Sequence, residues 1–290
     1  MKIAVHGKEF NRGSAPFISR IFEILTQSKA DILVSSEFSK FLKKAQIKSR
    51  FKTYKTRADL ARVQLFISIG GDGTLLESIT HIGKTEIPVL GINTGRLGFL
   101  ANISREETEL ALKAIFDGAY TLDTRALLRL ETNKDIFGSL NFALNDFTVV
   151  KKDSSSMVTI HTYVDGEFLN SYWADGLIIS TPTGSTGYSL SCGGPLIFPK
   201  SQNFVITPVS PHNLTVRPIV LSDSSRIVVQ VEGRSRKYLV SLDSRMASVD
   251  SSIKLEISKA EFNVHLVQLE VNNYFKTLRQ KLNWGLDVRN

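Results

Sequence analysis

With 290 residues, 42% hydrophobic and 22% charged, the chain is long enough to bury a sizeable core and too apolar to stay disordered, so one large or two ordinary domains are expected. The single cysteine, Cys192, cannot form an internal disulfide, Met1–His6 opens no signal peptide, and no run reaches the roughly 18 apolar residues of a membrane span; a cytoplasmic location with no membrane partner is expected. A net charge of +8 favours polyanions in general, but the densest basic stretch, Lys40–Lys55, lacks the aromatic interleaving of a single-strand binder and reads as solvated surface, so no nucleic-acid partner is expected.

From Met1 to about Tyr120, short β-branched runs alternate with amphipathic stretches. Lys2–His6, Asp31–Val34, Leu65–Ile69 and Ile87–Ile92 read as buried strands. Phe17, Ile18, Ile21, Phe22, Ile24 and Leu25 recur at helical spacing between the first two strands. A second helix with Leu75, Leu76 and Ile79 on its buried face follows the third. Ser104 and Glu107 form a capping box before Leu110, Ala114 and Ile115, and Gly118 closes that helix.

After Tyr120 the period changes. Leu127–Glu131, Phe142–Val150, Met157–Val164, Glu167–Asn170, Gly176–Ser180, Arg226–Val231, Tyr238–Leu242, Ile253–Ile257 and Val264–Leu269 read as closely spaced strands, with Asp165-Gly166 as a hairpin turn. Phe275, Leu278 and Leu282 then mark one face of a terminal helix from near Asn272 to Gly285. The expected fold is an α/β, Rossmann-like first domain (1–121, joined by the returning terminal helix 271–290) and a β-rich, sandwich-like second domain (122–270). The cleft between them is the default place for a ligand.

Chemistry concentrates first in Gly70-Gly71-Asp72-Gly73-Thr74, between a buried strand and a helix. Glycines there let successive N–H groups face a phosphate chain at a helix N-terminus. Neither common nucleotide motif fits: Leu76 stands where the dinucleotide fingerprint needs its third glycine, and Ser78 where a P-loop ending in Gly83-Lys84-Thr85 needs its first. An acid among phosphate-facing amides makes sense only if it takes a proton or helps hold Mg²⁺, so Asp72 reads as a general base or a metal-linked residue. Further on, Asn145-Asp146 offers an amide able to pair with a purine edge and a carboxylate able to accept from a ribose hydroxyl. Asp175 through Ser191 ends a strand in a turn crowded with hydroxyls and glycines. His and Cys do not fall at metal-ligand spacings.

The glycine turn resembles the signature shared by NAD kinases, diacylglycerol and sphingosine kinases and, more distantly, phosphofructokinases. Gly91-Ile92-Asn93-Thr94-Gly95-Arg96-Leu97-Gly98-Phe99-Leu100 is similar to the NAD kinase version of the next segment. The run Asp175-Gly176-Leu177-Ile178-Ile179-Ser180-Thr181-Pro182-Thr183-Gly184-Ser185-Thr186-Gly187-Tyr188 looks like that family's block, with Gly187 for the usual alanine. Thr207–Leu214 and Arg217-Pro218 resemble a further family segment.

The resemblance implies transfer of the γ-phosphoryl group of ATP, with Mg²⁺ or another divalent cation, to the 2′-hydroxyl of the adenosine ribose of NAD. Asp72 would be the base and Gly70, Gly71, Gly73 and Thr74 would face the ATP phosphates. Asp72, Gly73, Asn145, Asp146, Asp175, Thr183, Thr186, Gly187, Tyr188, Ser189, Leu190 and Ser191 would contact NAD. His212 and Arg245 are possible lining residues. Relatives suggest a homodimer or homotetramer. Two departures touch the site: Trp173 stands where relatives often have a basic residue, and Asp243-Ser244-Arg245 replaces the usual Asp-Gly-Gln. A lipid kinase of the diacylglycerol type and a non-catalytic dinucleotide sensor are the alternatives. None of these motifs separates NAD from NADH, or ATP from polyphosphate.

Overall fold

A computed structural model describes residues 1–47, 49–152, 157–233, 237–269 and 274–283. They fall into two compact units, Met1–Thr124 with Val264–Asn290, and Arg125–Asn263. The first unit runs β1 (Lys2–Gly7), α1 (Ala15–Gln27), β2 (Asp31–Ser35), α2 (Ser36–Lys44), β3 (Lys52–Tyr54), β4 (Leu65–Ile69), α3 (Asp72–Ile82), β5 (Val89–Ile92) and α4 (Thr108–Phe116). Its strands lie parallel in the order β3-β2-β1-β4-β5. β4 and β5 are buried at every residue, the pattern of a parallel sheet covered by helices on both faces. In this strand order the direction of winding reverses between β1 and β4, and ligands of such sheets bind beyond the carboxyl ends of the strands there. The glycine turn leaves β4 at that place.

β6 (Thr121–Thr132) leads into the second unit. There follow β7 (Phe142–Ala143), β8 (Asp146–Lys151), β9 (Val158–Val164), β10 (Glu167–Ala174), β11 (Gly176–Ser180), the short helix α5 (Tyr188–Ser191), β12 (Asn203–Val209), β13 (Ile219–Ser222), β14 (Ile227–Glu232), β15 (Lys237–Leu242), β16 (Arg245–Asp250) and β17 (Leu255–Gln268). One antiparallel sheet is ordered β13-β12-β11-β8-β15-β16; β10, β9, β14 and the start of β17 pair in another. Phe147, Leu177, Phe204 and Tyr238 of the first sheet share a core with Ile160, Tyr172, Val229 and Leu255 of the second, which makes this unit a sandwich. The end of β17, from Val264, and α6 (Tyr274–Leu282) belong to the first unit, as the returning terminal helix requires.

The Asp165-Gly166 turn is a two-residue hairpin with φ of 52° and 88°, joining Val164 to its partner Glu167. Other expectations need correction. Where one strand was expected over Phe142–Val150, the ladder breaks at Leu144-Asn145, and the two strands expected over 253–269 are one, β17. β3, β12, β13 and β16 were not anticipated. Pro208 disguises β12, yet β13 pairs only with Asn203–Ile206, so Pro208 sits past that pairing and its missing N–H costs no ladder bond.

Helical faces are also rotated from expectation. Leu110 is 71% exposed, because α4 buries Thr108, Ala111, Leu112 and Ile115. Leu76 is half-buried beside the buried row Thr74, Leu75, Ser78, Ile79 and Ile82. In α6 the buried residues are Thr277 and Leu278, while Phe275 and Leu282 are exposed; Asn272 and Gly285 lie outside the described residues.

Candidate active site

The glycine turn is built by contacts that only small residues allow. A Cβ on Gly70 would collide with the Thr74 side chain, which is buried beneath it. Gly71 caps α3 and Asp72 begins it. Gly71 and Gly73 have nothing within 4 Å of where a Cβ would stand, and both are exposed. The fold does not need these two glycines, whereas an approaching phosphate chain would.

Asp72 is clamped from the loop after β5. Its Oδ2 accepts the Phe99 N–H at 2.9 Å, and its Oδ1 accepts those of Leu100 at 3.0 Å and Ala101 at 2.9 Å. Two bonds saturate Oδ1; Oδ2 keeps one lone pair. The sequence of that loop explains the clamp. Asn93 folds it, accepting the Gly95 N–H at 2.6 Å and donating to the carbonyls of Arg96 at 2.6 Å and Ala101 at 3.3 Å. Gly98 leaves room for the carboxylate, since a Cβ there would overlap Oδ1. Lys281 of α6 lies over the Phe99 ring at 5.9 Å. Gly98 and the three amide donors were not singled out from the sequence; the Gly-Phe-Leu-Ala run after Arg96-Leu97 was the available signal.

In the second unit, Asn145-Asp146 occupies the break between β7 and β8. The buried carboxylate of Asp243 holds that break open, accepting N–H bonds from Leu144 at 3.0 Å, Asn145 at 2.8 Å and Asp146 at 3.2 Å. The Asp243 N–H in turn donates to the Asp146 carbonyl at 3.0 Å. Asn145 Oδ1 is buried with no hydrogen-bond partner. Native proteins rarely leave such an atom unpaired, so it marks a place for a ligand donor. Asp146 is 7% exposed, and burial, with the Asp243 charge second, pushes its carboxyl up to about 7. Asp243-Ser244-Arg245 therefore acts from behind. Arg245 donates to the Leu140 and Phe142 carbonyls and lies over the Phe142 ring at 5.3 Å, which anchors its guanidinium there.

The hydroxyl-rich turn after β11 is more self-contained than its composition suggests. Thr181 Oγ1 donates to the Leu144 carbonyl at 2.5 Å and accepts the Gly184 N–H at 3.2 Å; Ser185 Oγ donates to the Pro182 carbonyl at 2.7 Å. Thr183 Oγ1 accepts from Arg125 at 3.1 Å, and Ser189 Oγ shares a 2.8 Å bond with Thr207 Oγ1. Of these hydroxyls Thr181 ties the loop to the Leu144-Asn145 segment, while the others bond within the loop or to Arg125 and Thr207, and a Cβ on Gly184 would strike the Asn145 backbone. What the loop presents outward is Gly187, Tyr188, Leu190 and Ser191, with Tyr188 44% exposed and Thr186 half-buried.

Asp175 is paired with Lys151 at 2.6 Å, a cation the sequence reading missed. The ring of Trp173 sits 4.3 Å from that of His212, whose N–H donates to the Trp173 carbonyl at 2.8 Å. An exposed aromatic pair thus stands just before Asp175. Cys192 is a half-buried free thiol whose pKa is raised by burial.

Residues 3–120 match the family model for the ATP-NAD kinase N-terminal domain, and residues 144–269 that for the C-terminal domain. The chain belongs to the ATP-NAD kinase family. An NAD kinase of Cytophaga hutchinsonii is 53% identical over 292 residues, and one of Bacteroides fragilis 41% over 292 residues, each alignment covering 100% of both chains. Among solved structures, an NAD kinase from Archaeoglobus fulgidus in complex with ATP superposes with a TM-score of 0.76 at 27% identity, covering 98% of this chain and 99% of that one. Yeast NADH kinase complexed with NADH shares the fold, with a TM-score of 0.90 at 22% identity over 100% of this chain and 89% of that one. No helix among the described residues is long and apolar enough to cross a membrane.

Proposed function

We propose that the chain, an ATP-dependent NAD kinase, transfers the γ-phosphoryl group to the 2′-hydroxyl of the adenosine ribose of NAD with Asp72 as the base, giving NADP and ADP. The observation that carries the assignment to Asp72 is its carboxylate, fixed by three N–H donors with one Oδ2 lone pair spare, between two glycines the fold leaves open. As the ribose oxygen forms its bond to the γ-phosphorus, the bond to ADP breaks and the hydroxyl proton passes to Oδ2. Such transfer asks for positioning and charge neutralisation more than covalent chemistry.

The exposed amides around Gly71 and Gly73 face the ATP phosphates. Mg²⁺ would be held by the oxygens of the ATP phosphates and would neutralise their charge, leaving the spare Oδ2 lone pair of Asp72 for the proton. The unpaired Asn145 Oδ1 accepts from the adenine amino group, Asp146 takes a ribose hydroxyl, and Tyr188 lies beside the adenine. The match of residues 144–269 to the C-terminal kinase domain sets aside the lipid kinase reading. The lone free thiol fits a cytoplasmic location, and the exposed Leu214, Trp173 and Met246 of the second unit fit a homo-oligomer.

Incubation with Mg²⁺-ATP and NAD is expected to yield NADP. NAD lacking the 2′-hydroxyl on the adenosine ribose should bind without being phosphorylated, and the analogue lacking it on the nicotinamide ribose should remain a substrate. Phosphate on the first analogue would show that the nucleophile has been misplaced.

A further inference from the structure

Asp72 begins α3; near the other end of the same helix, His6 from β1 meets Glu77 and His81. One ligand-type atom from each of the three lies within 4.8 Å of the others, and the phosphoryl transfer uses none of them. Spacing along the chain gave no hint of this group, because His6 is brought in by the parallel sheet. His6 is fully buried, with Nδ1 2.8 Å from Ser35 Oγ. Ser35 caps α2, its Oγ accepting the Phe38 N–H at 3.2 Å, so the hydroxyl is held in place. The other ring nitrogen, Nε2, has no hydrogen-bond partner and lies 3.7 Å from Glu77 Oε1. In the tautomer that donates Nδ1–H to Ser35 Oγ, Nε2 turns its lone pair toward a carboxylate oxygen. Two acceptors then face each other across a gap that only a proton or a cation can fill.

His81 lies one turn beyond Glu77 on the same face of α3, its ring 4.5 Å from that of His6. We propose that His6 Nε2, Glu77 Oε1 and a ring nitrogen of His81 bind a divalent transition-metal ion of the Zn²⁺ class, with a fourth position for water. Two imidazoles and one carboxylate suit Zn²⁺ and not Mg²⁺, which takes oxygen ligands. Outer partners are in place, Ser35 on the far nitrogen of His6 and Lys8 Nζ 2.7 Å from Glu77 Oε2. Glu77, 30% exposed, and the half-buried His81 leave a way in from solvent. A bound ion ties α3 to β1 and stabilises the folded chain by mass action.

The test titrates chelator-stripped protein with Co²⁺, read by its visible d–d absorption, and with Zn²⁺, read by calorimetry and thermal unfolding, with Mg²⁺ as control. One ion per chain, a four-coordinate Co²⁺ spectrum and a raised Tm are expected, with no such response to Mg²⁺. Glu77→Gln and His81→Phe, both on the accessible side of the cluster, should each weaken binding by more than the roughly 10–100-fold of an outer-partner change, while unfolding normally without metal. The absence of saturable 1:1 binding by the parent protein, or binding unchanged in both variants, would overturn the proposal.

Discussion

Asp72 and Asp146 are the two acids proposed to meet the substrate, and their surroundings differ. Asp72 accepts three N–H bonds from residues 99–101, whereas Asp146 is buried beside a second carboxylate. Asp72→Asn keeps the shape but can take no proton and replaces one acceptor oxygen with a donor. Turnover should fall by about 10²–10⁴ while NAD affinity, read by calorimetry, stays within a small factor. Near-normal turnover would remove the base assignment.

For Asp146, the folded chain holds a proton up to about pH 7, whereas the unfolded chain has already released it in the ordinary carboxylate range. That contribution to stability is complete below the unfolded value and is lost as pH rises through about 7. Asn imitates the neutral form, so Asp146→Asn should leave stability nearly unchanged at pH 4 and raise it at pH 8 by on the order of a few kcal/mol, read as a higher Tm. An equal shift at both pH values would show that ionisation is not the cause.

At the scale of elements, the turn into α3 separates glycines that the fold needs from glycines that the ligand needs. Gly70, Gly91 and Gly98 each have atoms where a Cβ would go, while Gly71 and Gly73 have none. Gly73 lies within the first turn of α3, so Gly73→Ala should stabilise the helix by roughly 0.5–1 kcal/mol. The same methyl would stand where phosphate must approach. We expect Gly73→Ala to raise Tm and lower ATP use, and Gly71→Val to abolish ATP use without unfolding the chain. Unchanged ATP kinetics in a folded Gly71→Val protein would move the donor site elsewhere.

For the whole molecule, ligand binding should register as stability. NAD at about a hundred times its Kd adds close to 2.7 kcal/mol to a folded state that alone binds it. Asp72→Asn should keep that gain, because the adenosine contacts proposed here lie on the second unit. Asn145→Ala should lose it, with little change in the stability of the free protein, since the Oδ1 it removes is buried and unpaired. A scan of thermal unfolding against NAD concentration for the three proteins checks both.

Much of this was readable from residue order. Buried parallel strands announce themselves as β-branched runs, Asp165-Gly166 demands a hairpin, and Gly70–Thr74 with Asp175–Tyr188 names the family, because local geometry and close backbone approach restrict which residues are tolerated. Strands whose pattern is interrupted escaped, as Pro208 hid β12, and helical faces such as that of α4 were set by what packs against them. Composition also misled at the hydroxyl-rich turn, since a hydroxyl's partner is invisible until the chain has folded. Tertiary structure alone brought the amides of 99–101 to Asp72, set Asp243 behind Asn145-Asp146 and carried His6 to Glu77 and His81. Those partners lie from 27 to 99 residues apart in the chain, and no local preference encodes contacts made only when strands pair and loops close over them.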